Sequence, residues 1–154
     1  MTEKLVLDLG CGSKSYIFHP YYDANVFVDV ERPTKKIKNF IVADACHLPF
    51  QDNAFETIYC NHVLEHLADP VTGIKELIRT SKKHVIIKTP HRFSANAKAD
   101  KTHKSFFNVR WFRKLLSRLN VFYEIEVSWA MRPRYFPILN LPNEITVKMW
   151  KKDS

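Results

Sequence analysis

Glycine is scarce in this chain. It has three among 154 residues, and two of them, Gly10 and Gly12, stand one residue apart after the apolar run at residues 4–9. A dinucleotide fingerprint needs a third glycine three residues after the second, and that position is Ser15. A phosphate loop needs a glycine ahead of its Lys-Ser/Thr pair, where Ser13-Lys14-Ser15 offers serine. Residues 16–22, Tyr-Ile-Phe-His-Pro-Tyr-Tyr, do not read as a helix whose N-terminus would hold a pyrophosphate. The Tyr-x-x-x-Lys pair of a nicotinamide oxidoreductase is missing too.

Other absences narrow the class. No apolar run approaches the length of a membrane span, and the Met1-Thr2-Glu3 start lacks the basic and apolar regions of a signal peptide. Cys11, Cys46 and Cys60 are odd in number and include no Cys-x-x-Cys pair. That pattern favours reduced thiols and a cytoplasmic protein over a disulfide framework. Acidic residues are outnumbered: 24 Lys+Arg against 16 Asp+Glu give a net charge of +8. Such a surface attracts anionic partners, or simply keeps the protein soluble.

What is present reads as strands alternating with helices. Strands are expected at residues 4–9, 25–30, 38–43, 55–60 and 83–88, the last stopped by Thr89-Pro90, and late strands at 121–129 and 144–150. The first lacks polar alternation, as a parallel strand covered on both faces does. Asp69-Pro70 reads as a helix start, with Val71, Ile74, Leu77 and Ile78 on one face and Lys75, Glu76 and Arg79 outside. Residues 108–119 read as a second helix, with Val109, Phe112, Leu115, Leu116 and Leu119 inward. Residues 131–143, with three prolines, read as a loop. The pattern argues one α/β domain over 1–154 with a mostly parallel sheet, whose ligands bind at the carboxyl ends of the strands.

Three acids fall at such ends. Asp8 precedes the glycines, Asp29 ends the second strand about twenty residues on, where an acid holding ribose hydroxyls belongs, and Asp44 follows the third. With Leu48-Pro49-Phe50 and Glu65-His66, this ordered set over residues 6–90 resembles the class I S-adenosylmethionine-dependent methyltransferases, most closely their methyltransferase type 11 group. The resemblance implies a Rossmann-like class I methyltransferase sandwich: a seven-stranded, mostly parallel sheet with an antiparallel C-terminal strand at 144–150. The first helix, between Gly12 and Asn25, is expected to be eroded, and Ser81-Lys82-Lys83 replaces the usual Gly-Gly turn.

The resemblance also implies site residues. S-adenosylmethionine would lie against Asp8, Gly10, Cys11 and Gly12, with Asp29 and Val30 at the ribose, Asp44 and Ala45 at the adenine, and Asn61 and His62 at the methionine end. Histidine titrates near neutrality, so His91 and His62 are the expected proton-handling residues. Glu65-His66 is read as a lock on its short helix and His103 as an anchor for the Phe106-Phe107 loop. His62 and His66 have a spacing that can chelate zinc, with Cys46, His47 and Cys60 as further ligand types. Leu67-Ala68-Asp69-Pro70 cuts that helix short, so no metal is expected.

The expected function is methyl transfer to an unidentified small or headgroup-like acceptor of anionic character, bordered by the lysine-rich segment 93–104 and by Arg132-Pro133-Arg134-Tyr135-Phe136. A nucleic acid is the less favoured acceptor. The alternative is a catalytically inactive, methyltransferase-like binding or scaffold module. Oligomeric state is left open.

Overall fold

A computed structural model describes residues 4–12, 23–34, 36–130 and 141–152. Its strands are β1 (Val6–Leu9), β2 (Val26–Asp29), β3 (Phe40–Val42), β4 (Phe55–Asn61), β5 (Ser81–Pro90), β6 (Val121–Ala130) and β7 (Leu141–Lys151). Its helices are α1 (Pro70–Thr80), α2 (Ala95–Ala99) and α3 (Val109–Leu116), with a 3-10 turn at Leu64–His66. The strands form one seven-stranded sheet in the order β3-β2-β1-β4-β5-β7-β6. β1 to β5 pair in parallel, and β7 runs antiparallel to both β5 and β6. The chain leaves β1 toward β2 and β3 on one side and returns to β4 on the other. The carboxyl end of β1 is therefore a topological switch point, where open α/β sheets leave a crevice.

β1 is buried at all four residues, as expected of a central parallel strand. That burial carries Asp8 into the interior with Leu7 and Leu9. Ile58, Ile87, Ile145 and Val147 continue the core across the sheet, α1 adds Ile74 and Leu77, and α3 adds Phe112 and Leu116. Each such side chain contributes about 1.5–3 kcal/mol through burial. Phe107 packs at centroid distances of 4.7 Å from Trp111 and 5.5 Å from Phe112.

The helix starts match expectation. Asp69 Oδ1 accepts from the N–H groups of Val71 and Thr72, both at 3.1 Å, and Pro70 occupies the first turn, where no intrahelical donor is lost. Asn108 Oδ1 accepts from Trp111 N at 2.8 Å.

Several boundaries differ. β5 begins at Ser81, because α1 passes into it without a turn, and it continues through Thr89 and Pro90 because β7 pairs with them. α3 ends at Leu116 rather than at 119. Residues 141–143, expected as loop, belong to β7, whose Leu141 and Pro142 pair with Ala130 and Trp129. The remainder of that loop, 131–140, and the first-helix segment at 13–22 lie outside the described residues. α2 was not foreseen, since five residues show no apolar period; its signal is Ser94, whose Oγ accepts from Ala97 N at 3.0 Å.

Arg79 does not simply face solvent. Its guanidinium donates to Phe50 O at 2.8 Å, Leu48 O at 3.0 Å and Asp52 Oδ1 at 2.8 Å, and twice to Glu76, which accepts from Leu48 N at 2.9 Å. A planar five-donor group suits such a fork, and it pins residues 48–52 to α1. Among the described residues, no helix is long and apolar enough to cross a membrane.

Candidate active site

The glycine turn ties the ends of β1 and β2 together. The N–H groups of Gly10 and Cys11 both donate to Val28 O, at 2.8 and 3.3 Å, and Gly12 N donates to Asp29 Oδ2 at 2.8 Å. Gly10 and Gly12 have φ of 75° and 85°, a region costly for residues bearing a Cβ. A Cβ at Gly10 would also fall 2.1 Å from Val63 Cγ2. The turn thus closes tightly on the segment after β4.

Two further carboxylates sit on neighbouring strand ends. Asp29 Oδ1 accepts from Glu31 N at 3.2 Å. Asp44 Oδ1 accepts from Cys46 N at 2.8 Å. Each carboxylate oxygen has capacity for a second bond, and both acids line a cleft of about 660 Å³ together with Gly10, Val30, Ala45 and His62. Val63, His66, Leu67, Cys46, His47 and Lys104 also line it, and sequence reasoning had not assigned them there. The expected residues Asp8, Cys11, Gly12 and Asn61 stand in the turn and strand ends that carry this lining, not in the lining itself.

Asp8 is 5% exposed. Burial, and then the charge of Asp29, push its carboxyl up to about 6. Burial, with Asp8 and Asp29 adding to it, pushes the Cys11 thiol up to about 12, so it is no nucleophile at neutral pH.

A second cleft of about 600 Å³ adjoins the first, lined by His62, Glu65, His66, Pro90, Asn96, Lys101 and His103 among others. His62 and His66 line both clefts. His62 has φ of 51° and stands between two carboxylates. Its Nδ1 lies 3.2 Å from Glu65 Oε1 and its Nε2 3.0 Å from Glu144 Oε2. The hydrogen bond to Glu65 contributes most to raising its pKa, against burial. A carboxylate oxygen accepts, so both contacts favour N–H at the ring nitrogens and raise the His62 pKa.

His91, the other histidine expected at the chemistry, is 8% exposed and outside the lining of both clefts. Its Nδ1 accepts from Phe93 N at 3.3 Å, and burial, then Arg92, lower its pKa. His62 and His66 do not share a helix face as the zinc spacing required, because the turn holds only Leu64–His66. His66 instead meets His103, their ring centroids 4.8 Å apart.

The Methyltransferase domain family matches residues 7–87. The chain belongs to this family. It is 33% identical over 93 residues to the tRNA U34 carboxymethyltransferase of Nautilia profundicola, across 50% of this chain and 30% of that one. The chain spans less than half the length of the curated relatives it matches. A SAM-dependent methyltransferase from Archaeoglobus fulgidus superposes at a TM-score of 0.74 and 19% identity, covering 97% of this chain and 87% of that one. Another from Thermotoga maritima superposes at 0.72 and 18%, covering 99% and 84%. These structures establish the Rossmann-like methyltransferase fold.

Methyltransferases of this fold use S-adenosylmethionine, and the residues present fit it. The cleft volume is in the range of cofactor pockets. The bare backbone of Gly10 permits close approach, two carboxylates on adjacent strand ends can accept from hydroxyls and an amine, and the buried Asp8 carboxyl stands behind them, where a cationic ligand would favour its ionised form.

Proposed function

We propose that this chain transfers a methyl group from S-adenosylmethionine to a small or headgroup-sized polar acceptor of anionic character, bound in the second cleft. The observation that carries this reading is the meeting of two clefts of about 660 and 600 Å³ at His62 and His66. A cofactor-sized space and an acceptor-sized space share one wall.

S-adenosylmethionine supplies an electrophilic sulfonium methyl, so the protein's task is alignment and exclusion of water. Gly10 and Gly12 open the backbone to the ligand. Asp29 would accept from the ribose hydroxyls and Asp44 from the adenine amine, while an ionised Asp8 would add negative potential for the cationic methionine end. His62, whose two ring nitrogens face Glu65 and Glu144, is fixed in the wall that the two clefts share. Lys101 in the lining of the second cleft and Lys104 in that of the first attract an anionic acceptor. The three unbridged thiols suit a cytoplasmic setting.

A nucleic-acid acceptor is the second reading. The likeness to the Nautilia tRNA U34 carboxymethyltransferase and the net charge of +8 favour it. Incubating the protein with tritiated S-adenosylmethionine and separate small-molecule, lipid and RNA pools decides between them. Label in the small-molecule or lipid pool is the expected result. Label confined to RNA would replace the small acceptor. Cofactor binding by calorimetry with no label in any pool would leave the scaffold module.

A further inference from the structure

His66 and His103 each have one ring nitrogen committed. Thr102 Oγ1 lies 2.6 Å from Asp100 Oδ1 and 3.0 Å from His66 Nδ1. A hydroxyl has one hydrogen, and the carboxylate, which can only accept, takes it. The hydroxyl oxygen therefore accepts from an N–H at His66 Nδ1. His103 Nδ1 lies 3.0 Å from Ala97 O, and a carbonyl can only accept, so this nitrogen also carries hydrogen. In the neutral rings, the lone pair of both histidines is then at Nε2. Asp100 Oδ2, 3.7 Å from His103 Nε2, is beyond hydrogen-bonding distance.

The third member is Glu65, 2% exposed. Its Oε2 accepts from Thr89 Oγ1 at 3.1 Å, and its carbonyl accepts from Lys104 N at 2.7 Å and Ser105 N at 3.0 Å. Those two backbone bonds fasten the His103 segment to the Glu65–His66 turn. One ligand atom from each of Glu65, His66 and His103 lies within 4.8 Å of the others. Zinc bonds of about 2.0–2.1 Å bring tetrahedral ligands to roughly 3.4 Å apart, a contraction within reach of small side-chain rotations.

We propose that Glu65, His66 and His103 form a three-ligand site for a divalent cation of the zinc class. Two imidazoles and a carboxylate match an open zinc site, which keeps its fourth position for water or substrate. All three residues line the second cleft, so that position faces the acceptor space, where an oxygen of the acceptor would complete the shell. The outer contacts are those that orient metal ligands: Thr102 and the Ala97 carbonyl fix the two rings, and Thr89 fixes the carboxylate. The Nδ1 atoms of His66 and His103 are committed and their Nε2 atoms spare, whereas both nitrogens of His62 face carboxylates, its Nδ1 at 3.2 Å from Glu65 Oε1; that oxygen would exchange His62 for the cation while Oε2 keeps Thr89.

Chelator-stripped protein is titrated with zinc chloride, read by calorimetry and by elemental analysis after dialysis, with no methyl donor or acceptor present. The outcome is thus separate from the methyl-transfer reading. The expected result is one zinc per chain, bound at least 100-fold more weakly by His66→Ala and by His66→Gln. Thr102→Val keeps all three ligands and is expected to weaken binding about 10-fold. Circular dichroism of each variant checks that it is folded. No bound zinc in the parent protein, or full affinity retained in folded His66→Ala and His66→Gln, overturns the site.

Discussion

Replacing Asp8 by asparagine tests what a buried carboxyl behind the larger cleft does to stability and to ligand binding. Asp8 is 5% exposed in the central strand, and its carboxyl is raised from 3.8 to about 6, by burial first and by Asp29 second. The unfolded chain ionises at the lower value, so between these two pH values the native state holds more protons and stability falls as pH rises. The stabilising effect of the protonated form is complete below 3.8 and lost above about 6. Each tenfold step in the equilibrium is about 1.4 kcal/mol, so ionising Asp8 in the folded protein costs ~3 kcal/mol at neutral pH.

Asparagine has nearly the same shape and no charge to desolvate. Asp8→Asn should therefore be about as stable as the parent below 3.8, and more stable by up to ~3 kcal/mol at pH 8, or roughly 6–12 °C in Tm. Its affinity for the cationic S-adenosylmethionine should fall, since the ionised carboxylate supplies the attraction. In the parent that affinity should rise with pH through about 6. Thermal unfolding at a series of pH values and calorimetry at pH 8 measure both. A parent-to-variant stability difference that does not change with pH, or a variant less stable at pH 8, would refute the argument.

Gly10→Ala is expected to cost roughly 2–4 kcal/mol, from the left-handed φ and from crowding against Val63. Val63→Ala should restore part of this and not the backbone term, so denaturant unfolding of the four-protein cycle should yield a coupling of about 0.5–3 kcal/mol. Asp29→Ala should weaken S-adenosylmethionine binding by roughly 1–3 kcal/mol through lost charge-assisted bonds, and unchanged affinity by calorimetry would remove Asp29 from the pocket. Glu144→Gln should lower the His62 pKa without returning it to its ordinary value, because the Glu65 hydrogen bond is the larger influence. A proton NMR titration that leaves His62 unmoved would count against the two-carboxylate arrangement.

Features set by neighbouring residues were legible in the sequence. A strand without polar alternation, an Asp-Pro helix start and a glycine pair after a strand follow from backbone geometry over a few positions. They yielded all seven strands, the α1 cap and the acid-bearing strand ends, of whose acids Asp29 and Asp44 line the larger cleft. Given the strand order β3-β2-β1, Asp29 and Asp44 stand in succession on one side of Gly10, because in a parallel sheet every strand delivers its last residue to the same edge.

The tertiary structure decided what depends on pairing across long stretches of chain. β7, by running antiparallel beside β5, brings Glu144 to His62 and adds to the rise that Glu65 causes in its pKa. The backbone bonds from Lys104 and Ser105 to Glu65 bring His103 to His66. Arg79 lies on an outward-looking helix position and becomes a hub only because residues 48–52 fold back over α1. Which ring nitrogen carries hydrogen, which carboxyl is raised and which side chains converge are set by those distant partners, through burial and hydrogen bonding that no local spacing encodes.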